Sequence, residues 1–243
     1  MEPHKIVSQS EWRAARKALL AKEKELTRKR DEVSAERQAL PWVKVKKAYV
    51  FDTESGKKSL TDLFGGRSQL IVYHFMFGPG WKEGCSGCSF VADHIDGANL
   101  HLAHHDVTLL AVSHGKLAEF LPFKKRMGWK FEWVSSNDSD FNFDYGVSFT
   151  PAQMAKGKAE YNYREEKIDS EEMPGLSAFY KNGKGEIFHT YSTYTRGLDI
   201  LLTTYNYLDM APLGRNETGT MNWMRHHDRY EDSGASCCHG KKG

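Results

Sequence analysis

The sequence is poor in cysteine, has no marked excess of one charge and contains no long apolar run. Only four cysteines occur in 243 residues: Cys85, Cys88, Cys237 and Cys238. So few thiols in a chain of this length exclude a small scaffold stapled by disulfides. No stretch is long and apolar enough to suggest a membrane-spanning helix. The opening MEPHKIVSQSEWRAARK lacks the apolar core of a secretory signal. The expected location is therefore the cytoplasm, and the Asn216-Glu217-Thr218 sequon carries no weight in that setting. A formal net charge of +2 is too small to make nucleic acid or an anionic membrane surface the main partner. There is no internal repeat and no glycine-rich nucleotide loop, and no cofactor is expected.

What is present suits one soluble domain with extensions. Hydrophobic residues make up 40% and charged residues 27%, enough for a core under a solvated surface. The expected organisation is an N-terminal helical arm over 1–41, a domain over 42–210 and a polar C-terminal tail over 211–243. In the arm, Ser8 and Glu11 have capping-box spacing. Trp12, Leu19, Leu26, Val33 and Leu40 then recur every seven residues among Lys, Arg and Glu. Such a narrow stripe wants a partner surface, its own domain or a second subunit. The second seam position is polar at Lys22 and Lys29, which argues against an autonomous coiled coil. Pro41 is the expected stop.

The domain reads as alternating elements. Strands are expected over 48–52, 69–77, 107–112 and 131–134. Helical segments are expected over 59–64, 86–104, 116–127 and 198–208, with Pro122 kinking or restarting the third. QLIVYHFMF (Gln69–Phe77) is nearly all apolar, the pattern of a central strand buried on both faces. Asn182-Gly183 between 176–180 and 186–191 predicts a hairpin. The stretch 135–172 gives no regular pattern, and its Phe and Tyr residues read as packing for a lid. The order strand, helix, strand, helix, strand, hairpin, helix implies an α/β fold with a mixed sheet flanked by helices.

Cys85-Ser86-Gly87-Cys88 follows the central strand and opens a helix. A CxxC alone also serves zinc, but no matching Cys or His pair lies at finger spacing. Cys88, Val91, Ile95, Ala98 and Leu102 step by three and four residues, so Cys88 should face inward. Cys85 should sit accessibly at the helix start, where free N–H groups and the positive dipole end stabilise a thiolate. This asymmetry makes Cys85 the candidate nucleophile and Cys88 the resolving thiol of a dithiol–disulfide oxidoreductase. The alternative is a non-catalytic module that binds a metal or protein partner. Lys82, Asp93, His94 and Arg196 are candidates to tune Cys85, with solvated or salt-bridge roles favoured for Lys82, Asp93 and Arg196. His74 reads as a satisfied core histidine. For Cys237-Cys238-His239 the favoured reading is a disordered, non-functional tail; the alternative is an electron relay or, with His226 and His227, a soft-metal site, although the spacing fits no standard site.

The pattern strand, Gly-Pro-Gly-Trp, then Cys-x-x-Cys opening a helix resembles the thioredoxin-like superfamily. YHFMFGPGW (Tyr73–Trp81), GCSGCSF (Gly84–Phe90), PGLSAFY (Pro174–Tyr180), FHTYSTYTRGLD (Phe188–Asp199) and WMRHHDRYED (Trp223–Asp232) resemble more closely an uncharacterised, mainly bacterial family of predicted dithiol–disulfide oxidoreductases. The resemblance implies a thioredoxin-like fold, and the dithiol reading makes a disulfide-containing protein or small molecule the expected substrate. It also implies a substrate-guiding cis-proline loop at Pro174, and Trp81 joins Pro174 as a candidate substrate-binding residue. Trp81 stands four residues before Cys85 rather than directly before it. Lys82 stands where the peroxiredoxin PxxxTxxC pattern has Thr, which speaks against a peroxidatic mechanism.

Overall fold

The computed structural model describes residues 4–230. Cys237, Cys238 and His239 lie outside the described residues, as does the end of the WMRHHDRYED segment. The chain divides into two compact units, Met1–Pro41 and Trp42–Gly243. The first contains helix α1 (Gln9–Gln38), which starts at a complete capping box. The Glu11 amide donates to Ser8 Oγ (3.3 Å), and the Ser8 amide donates to Glu11 Oε2 (2.9 Å). The helix runs out at Gln38, just ahead of Pro41, because proline bars the residue before it from helical geometry. No side chain of α1 is buried.

The described residues of the second unit carry ten strands. They are β1 (Val43–Lys44), β2 (Val50–Thr53), β3 (Gly56–Ser59), β4 (Gln69–His74), β5 (Val107–Ser113), β6 (Trp133–Ser135), β7 (Lys158–Tyr161), β8 (Arg164–Lys167), β9 (Gly175–Lys181) and β10 (Ile187–Tyr194). Its helices are α2 (Ser86–Ala92), α3 (Ile95–Leu102), α4 (Leu117–Arg126), α5 (Phe141–Asp144), α6 (Pro151–Lys156) and α7 (Thr203–Met210). Eight strands form one sheet in the order β1-β10-β9-β4-β5-β6-β2-β3, and β7-β8 pair apart from it. β4 runs parallel to β5, and β5 to β6, whereas β9 is antiparallel to β4 and to β10. The connections between the parallel strands carry helices, as parallel pairing demands.

β4 is central, and the alternation of its side chains sets the two core layers. Leu70 and Val72 face a layer with Leu110, Val112, Phe141 and Phe179. Tyr73, with Phe75 and Phe77 beyond the strand, faces the other layer, where Cys88, Ile95, Phe123, Trp129 and Trp133 pack. The dithiol helix thus rests on the aromatic layer.

Several elements depart from the sequence expectation for local reasons. The helix over 86–104 is two, α2 and α3, joined through Asp93 and His94. The His94 amide bonds the Val91 carbonyl (3.1 Å), while its Nδ1 takes the Phe90 carbonyl (2.7 Å) that a continuing helix would have used. α4 passes through Pro122 unbroken. Pro122 and Ala118, four residues before it, are both exposed, so the carbonyl that proline leaves without a donor lies on the solvent side of the helix. The segment over 198–208 is a 3-10 stretch (Thr195–Leu201) followed by α7. The hairpin at Asn182 closes through a longer turn, with Asn182 Oδ1 accepting from the Lys184 and Glu186 amides (both 3.0 Å). Gly185, not Gly183, takes the positive φ of 79°. The stretch 135–172 holds α5, α6 and the β7–β8 hairpin, and its Val147, Phe149 and Tyr161 form a small core of their own with Tyr194. The domain also continues past 210. Within 211–230, expected as a polar tail, Met224 and His226 are buried and Met221 and Trp223 pack on the aromatic layer.

Candidate active site

Cys85 is the N-cap of α2, with φ −55° and ψ 133°. Its carbonyl already accepts from the Ser89 amide and hydroxyl (both 2.9 Å), so the first helical turn is fixed to it. The Met76 backbone, just beyond β4, grips both cysteines. Its carbonyl accepts from the Cys85 amide (3.4 Å), and its amide donates to Cys88 Sγ (3.4 Å). Gly84 is required by close approach: a Cβ there would lie 2.5 Å from Phe75 Cε1 and 2.8 Å from Phe123 Cε1.

The two thiols are free and unequal. Cys85 is half-buried and Cys88 is buried. The Cys85 thiol is lowered from its ordinary 9.0 to about 6, first by a hydrogen bond from Cys88. Burial opposes that shift, and the Cys88 and Gly87 amides of the first helical turn add to it. The Cys88 thiol is pushed well above 9.0, chiefly by burial and then by the neighbouring Cys85 sulfur. The sequence placed both residues on the correct sides of the helix start. The inward stripe continues through Val91 and Ile95 and ends at Ala98 and Leu102 on an apolar cavity of about 330 Å³.

A second apolar cavity, of about 240 Å³, opens beside the dithiol. Tyr73, Cys85, Cys88, Pro174, Arg196 and Met221 are among its lining residues. Pro174 is thus brought to the cysteines as expected, but the cis bond implied by the resemblance is absent: the Met173–Pro174 peptide is trans. Trans is the default of an X-Pro bond, and the local anchors hold the segment in that form. The Met173 amide donates to the Val147 carbonyl (2.8 Å), and Tyr161 Oη donates to the Pro174 carbonyl (2.6 Å). Trp81 is not brought to this cavity. Its Nε1 donates to Glu171 Oε1 (2.8 Å), and it lines a separate cleft with His114 and Glu172. In that cleft the buried Glu172 accepts from Ser148 Oγ (2.7 Å) and pairs with His114 Nδ1 (3.1 Å). Burial raises its carboxyl above the ordinary carboxylate range.

The candidate tuning residues point elsewhere. Lys82 is exposed and acts on Glu119, and it is not among the groups that set the Cys85 thiol. Arg196 chelates Asp199 (3.0 and 2.9 Å). Asp93 accepts from Trp129 Nε1 and pairs with His227 Nδ1 (both 2.7 Å). His94 Nε2 accepts from the Thr204 amide (3.2 Å), so Nδ1 carries the proton given to Phe90. His74 is a buried core histidine on Ser177 Oγ (2.9 Å), and burial lowers it to about 3, so it stays neutral. His226 is engaged rather than open to a metal. Its Nδ1 accepts from the Arg126 guanidinium (2.7 Å), and its Nε2 donates to the Gly84 carbonyl (2.9 Å), one residue before Cys85. Among the described residues no group of three or more His, Cys, Asp or Glu side chains is placed to hold a metal ion.

Sequence reasoning missed Tyr73. It sits on β4 opposite Ala111 and Leu176, is 1% exposed, and points into the layer that holds the cysteines. Its hydroxyl makes no hydrogen bond to protein oxygen or nitrogen, and after burial the groups that act on it most are the sulfurs of Cys88 and Cys85. A buried hydroxyl left without a partner costs about 1–3 kcal/mol, so its position calls for a reason. The one available signal was its place in a largely apolar strand that leads to the CxxC.

The strand order β10-β9-β4-β5, with β9 antiparallel to both its neighbours and a CxxC opening the first crossover helix, defines a thioredoxin-like fold. Over residues 1–230 the chain matches the family described as "Bacterial protein of unknown function (DUF899)", and it belongs to that family. No curated protein sequence matches it. Among solved structures it is similar to peroxidoxin BcpB from Mycobacterium tuberculosis, at 11% identity over 68% of this chain and 95% of that one, TM-score 0.44. It is also similar to peroxiredoxin Q from Xanthomonas campestris, at 12% identity over 64% of this chain and 87% of that one, TM-score 0.43. A third is a putative thiol:disulfide interchange protein DsbE from Chlorobium tepidum, at 12% identity over 68% and 97%, TM-score 0.40.

Proposed function

We propose that this protein is a thiol–disulfide oxidoreductase with Cys85 as nucleophile and Cys88 as resolving thiol. The observation that carries this reading is the unlike state of two adjacent thiols. One is half-exposed at a helix start and lowered to about 6, and the other is buried and raised. At pH 7 Cys85 is mainly thiolate, the form that attacks disulfides. It attacks one sulfur of a substrate disulfide, forms a mixed disulfide and releases the first substrate thiolate. Cys88 then gives up its proton and attacks Cys85 Sγ, releasing the second substrate thiolate. The substrate disulfide is reduced and the Cys85–Cys88 pair oxidised. Run backwards, the same steps oxidise a dithiol substrate. The substrate class is a disulfide-containing protein or small molecule, held in the cavity bounded by Pro174. The compartment that suits such free thiols is the cytoplasm. The arm stripe is a contact with a second copy of the chain.

The test is a trapping experiment. The Cys88→Ser variant is expected to accumulate the mixed disulfide with a disulfide substrate, seen by mass spectrometry, whereas Cys85→Ser should form none. Adduct on Cys88 with Cys85 replaced, at the rate of the intact protein, would overturn the assignment of roles.

A further inference from the structure

Resolution of the mixed disulfide requires Cys88 to lose its proton. Cys88 is buried among Tyr73, Phe90 and Val91 in the aromatic layer, and it must act as a thiolate in the resolving step. The Met76 amide supplies one donor to its sulfur at 3.4 Å. A single amide in an apolar setting is a weak counterpart for a full charge. The other titratable groups that face the pair are few. They are Cys85 on α2, Tyr161 on β7, and the Arg196–Asp199 pair after β10, whose charges are spent on each other. Tyr161 is also committed, donating to the Pro174 carbonyl. Tyr73 is the remaining buried hydroxyl, and it has no protein oxygen or nitrogen to donate to.

We propose that Tyr73 is a further catalytic residue, whose buried hydroxyl donates to Cys88 Sγ in its thiolate form during resolution of the mixed disulfide. This rests on the oxidoreductase reading. When the thiol loses its proton, the sulfur gains charge and two donors converge on it, the Met76 amide and the Tyr73 hydroxyl. The proton leaves with the departing substrate thiolate or to solvent through the cavity beside Cys85. In the reverse direction Cys88 is the leaving sulfur, and the same two donors receive its charge. The lack of any other hydrogen bond to Tyr73 Oη then has a purpose: in the reduced resting state the donor is held in reserve for the charged sulfur. Fixing a donor where charge develops, in a site closed to water, is worth more than the same donor in solution.

The test uses the full chain with Cys237→Ser and Cys238→Ser, so that only the pair reacts, and the aryl disulfide 5,5′-dithiobis(2-nitrobenzoate) as probe. Attack by Cys85 releases one coloured thiolate, and resolution by Cys88 releases a second, so the two steps appear as two optical phases. Tyr73→Phe is expected to leave the first phase within twofold and to slow the second at least tenfold. Its pH midpoint should move upward. A second protein, with 3,5-difluorotyrosine in place of Tyr73, keeps the ring and makes the hydroxyl a stronger donor, so its second-phase midpoint should move downward. Two phases unchanged in both proteins, or slowed equally, would overturn the role of Tyr73 and leave the dithiol reading standing. A protein with Tyr73 intact that releases no second equivalent would overturn the dithiol reading itself.

Discussion

Cys85 and Cys88 are the same side chain three residues apart, and the fold separates their chemistry. Cys85 takes a hydrogen bond from Cys88 and meets amide donors at a helix start, and Cys88 is buried in the aromatic layer. The consequence is a pH signature. Because the Cys85 thiol is lowered to about 6, its alkylation by iodoacetamide should rise with pH, reach half-maximum near 6 and level off above about 7. Cys88 should stay unreactive until well above pH 9. A Cys85 profile centred near 9 would contradict the site geometry. The same shift links to stability with a definite sign. Between pH 6 and 9 the native state holds the thiolate while the unfolded chain holds the thiol. The native state of the reduced protein therefore gains stability as pH rises through that window, and loses the contribution as pH falls through 6. The raised Cys88 thiol works the other way and withdraws stability only above 9.

Elements explain what the sequence made legible and what it hid. The CxxC and its helix face were readable because a 3.6-residue period and a strand-to-helix junction are local signals. The break between α2 and α3 was not, because it depends on His94 reaching a carbonyl of the preceding turn and on Thr204, far along the chain. β3 (GKKS) is short and polar, with no apolar alternation to mark it, although it pairs along its whole length with β2. The role of His226 was hidden for the same reason as the break, since its partners Gly84 and Arg126 lie far along the chain, and Tyr73 was hidden because only packing brings it to the layer that holds the cysteines. α1 was legible end to end, and its seven-residue stripe bears a prediction of its own. If the stripe joins two copies, light scattering should give a mass at or above twice 27.7 kDa for the full chain. The double variant Leu19→Lys, Leu26→Lys should return it to a monomer. A monomeric full chain would contradict the proposed contact.

The domain as a whole supports the site from both sides. β4 carries the residues beneath the dithiol, and the segment over 211–230 closes over it. From that segment Met221 lines the cavity, His226 holds the carbonyl ahead of Cys85, and Arg229 pairs with Glu83 in the same loop (3.0 Å). A polar composition disguised this segment, because its work is done by single anchors rather than by an apolar face. The trans Pro174, pinned by the 135–172 stretch through Tyr161, belongs to the same enclosure. The claim on which all of this converges is that the pair cycles between dithiol and disulfide. The most direct measurement equilibrates the protein against graded glutathione buffers and reads the Cys85–Cys88 pair by thiol alkylation and mass spectrometry. The account predicts a reversible two-electron transition between about −120 and −300 mV, confined to that pair. Absence of a Cys85–Cys88 disulfide at every poise would contradict it.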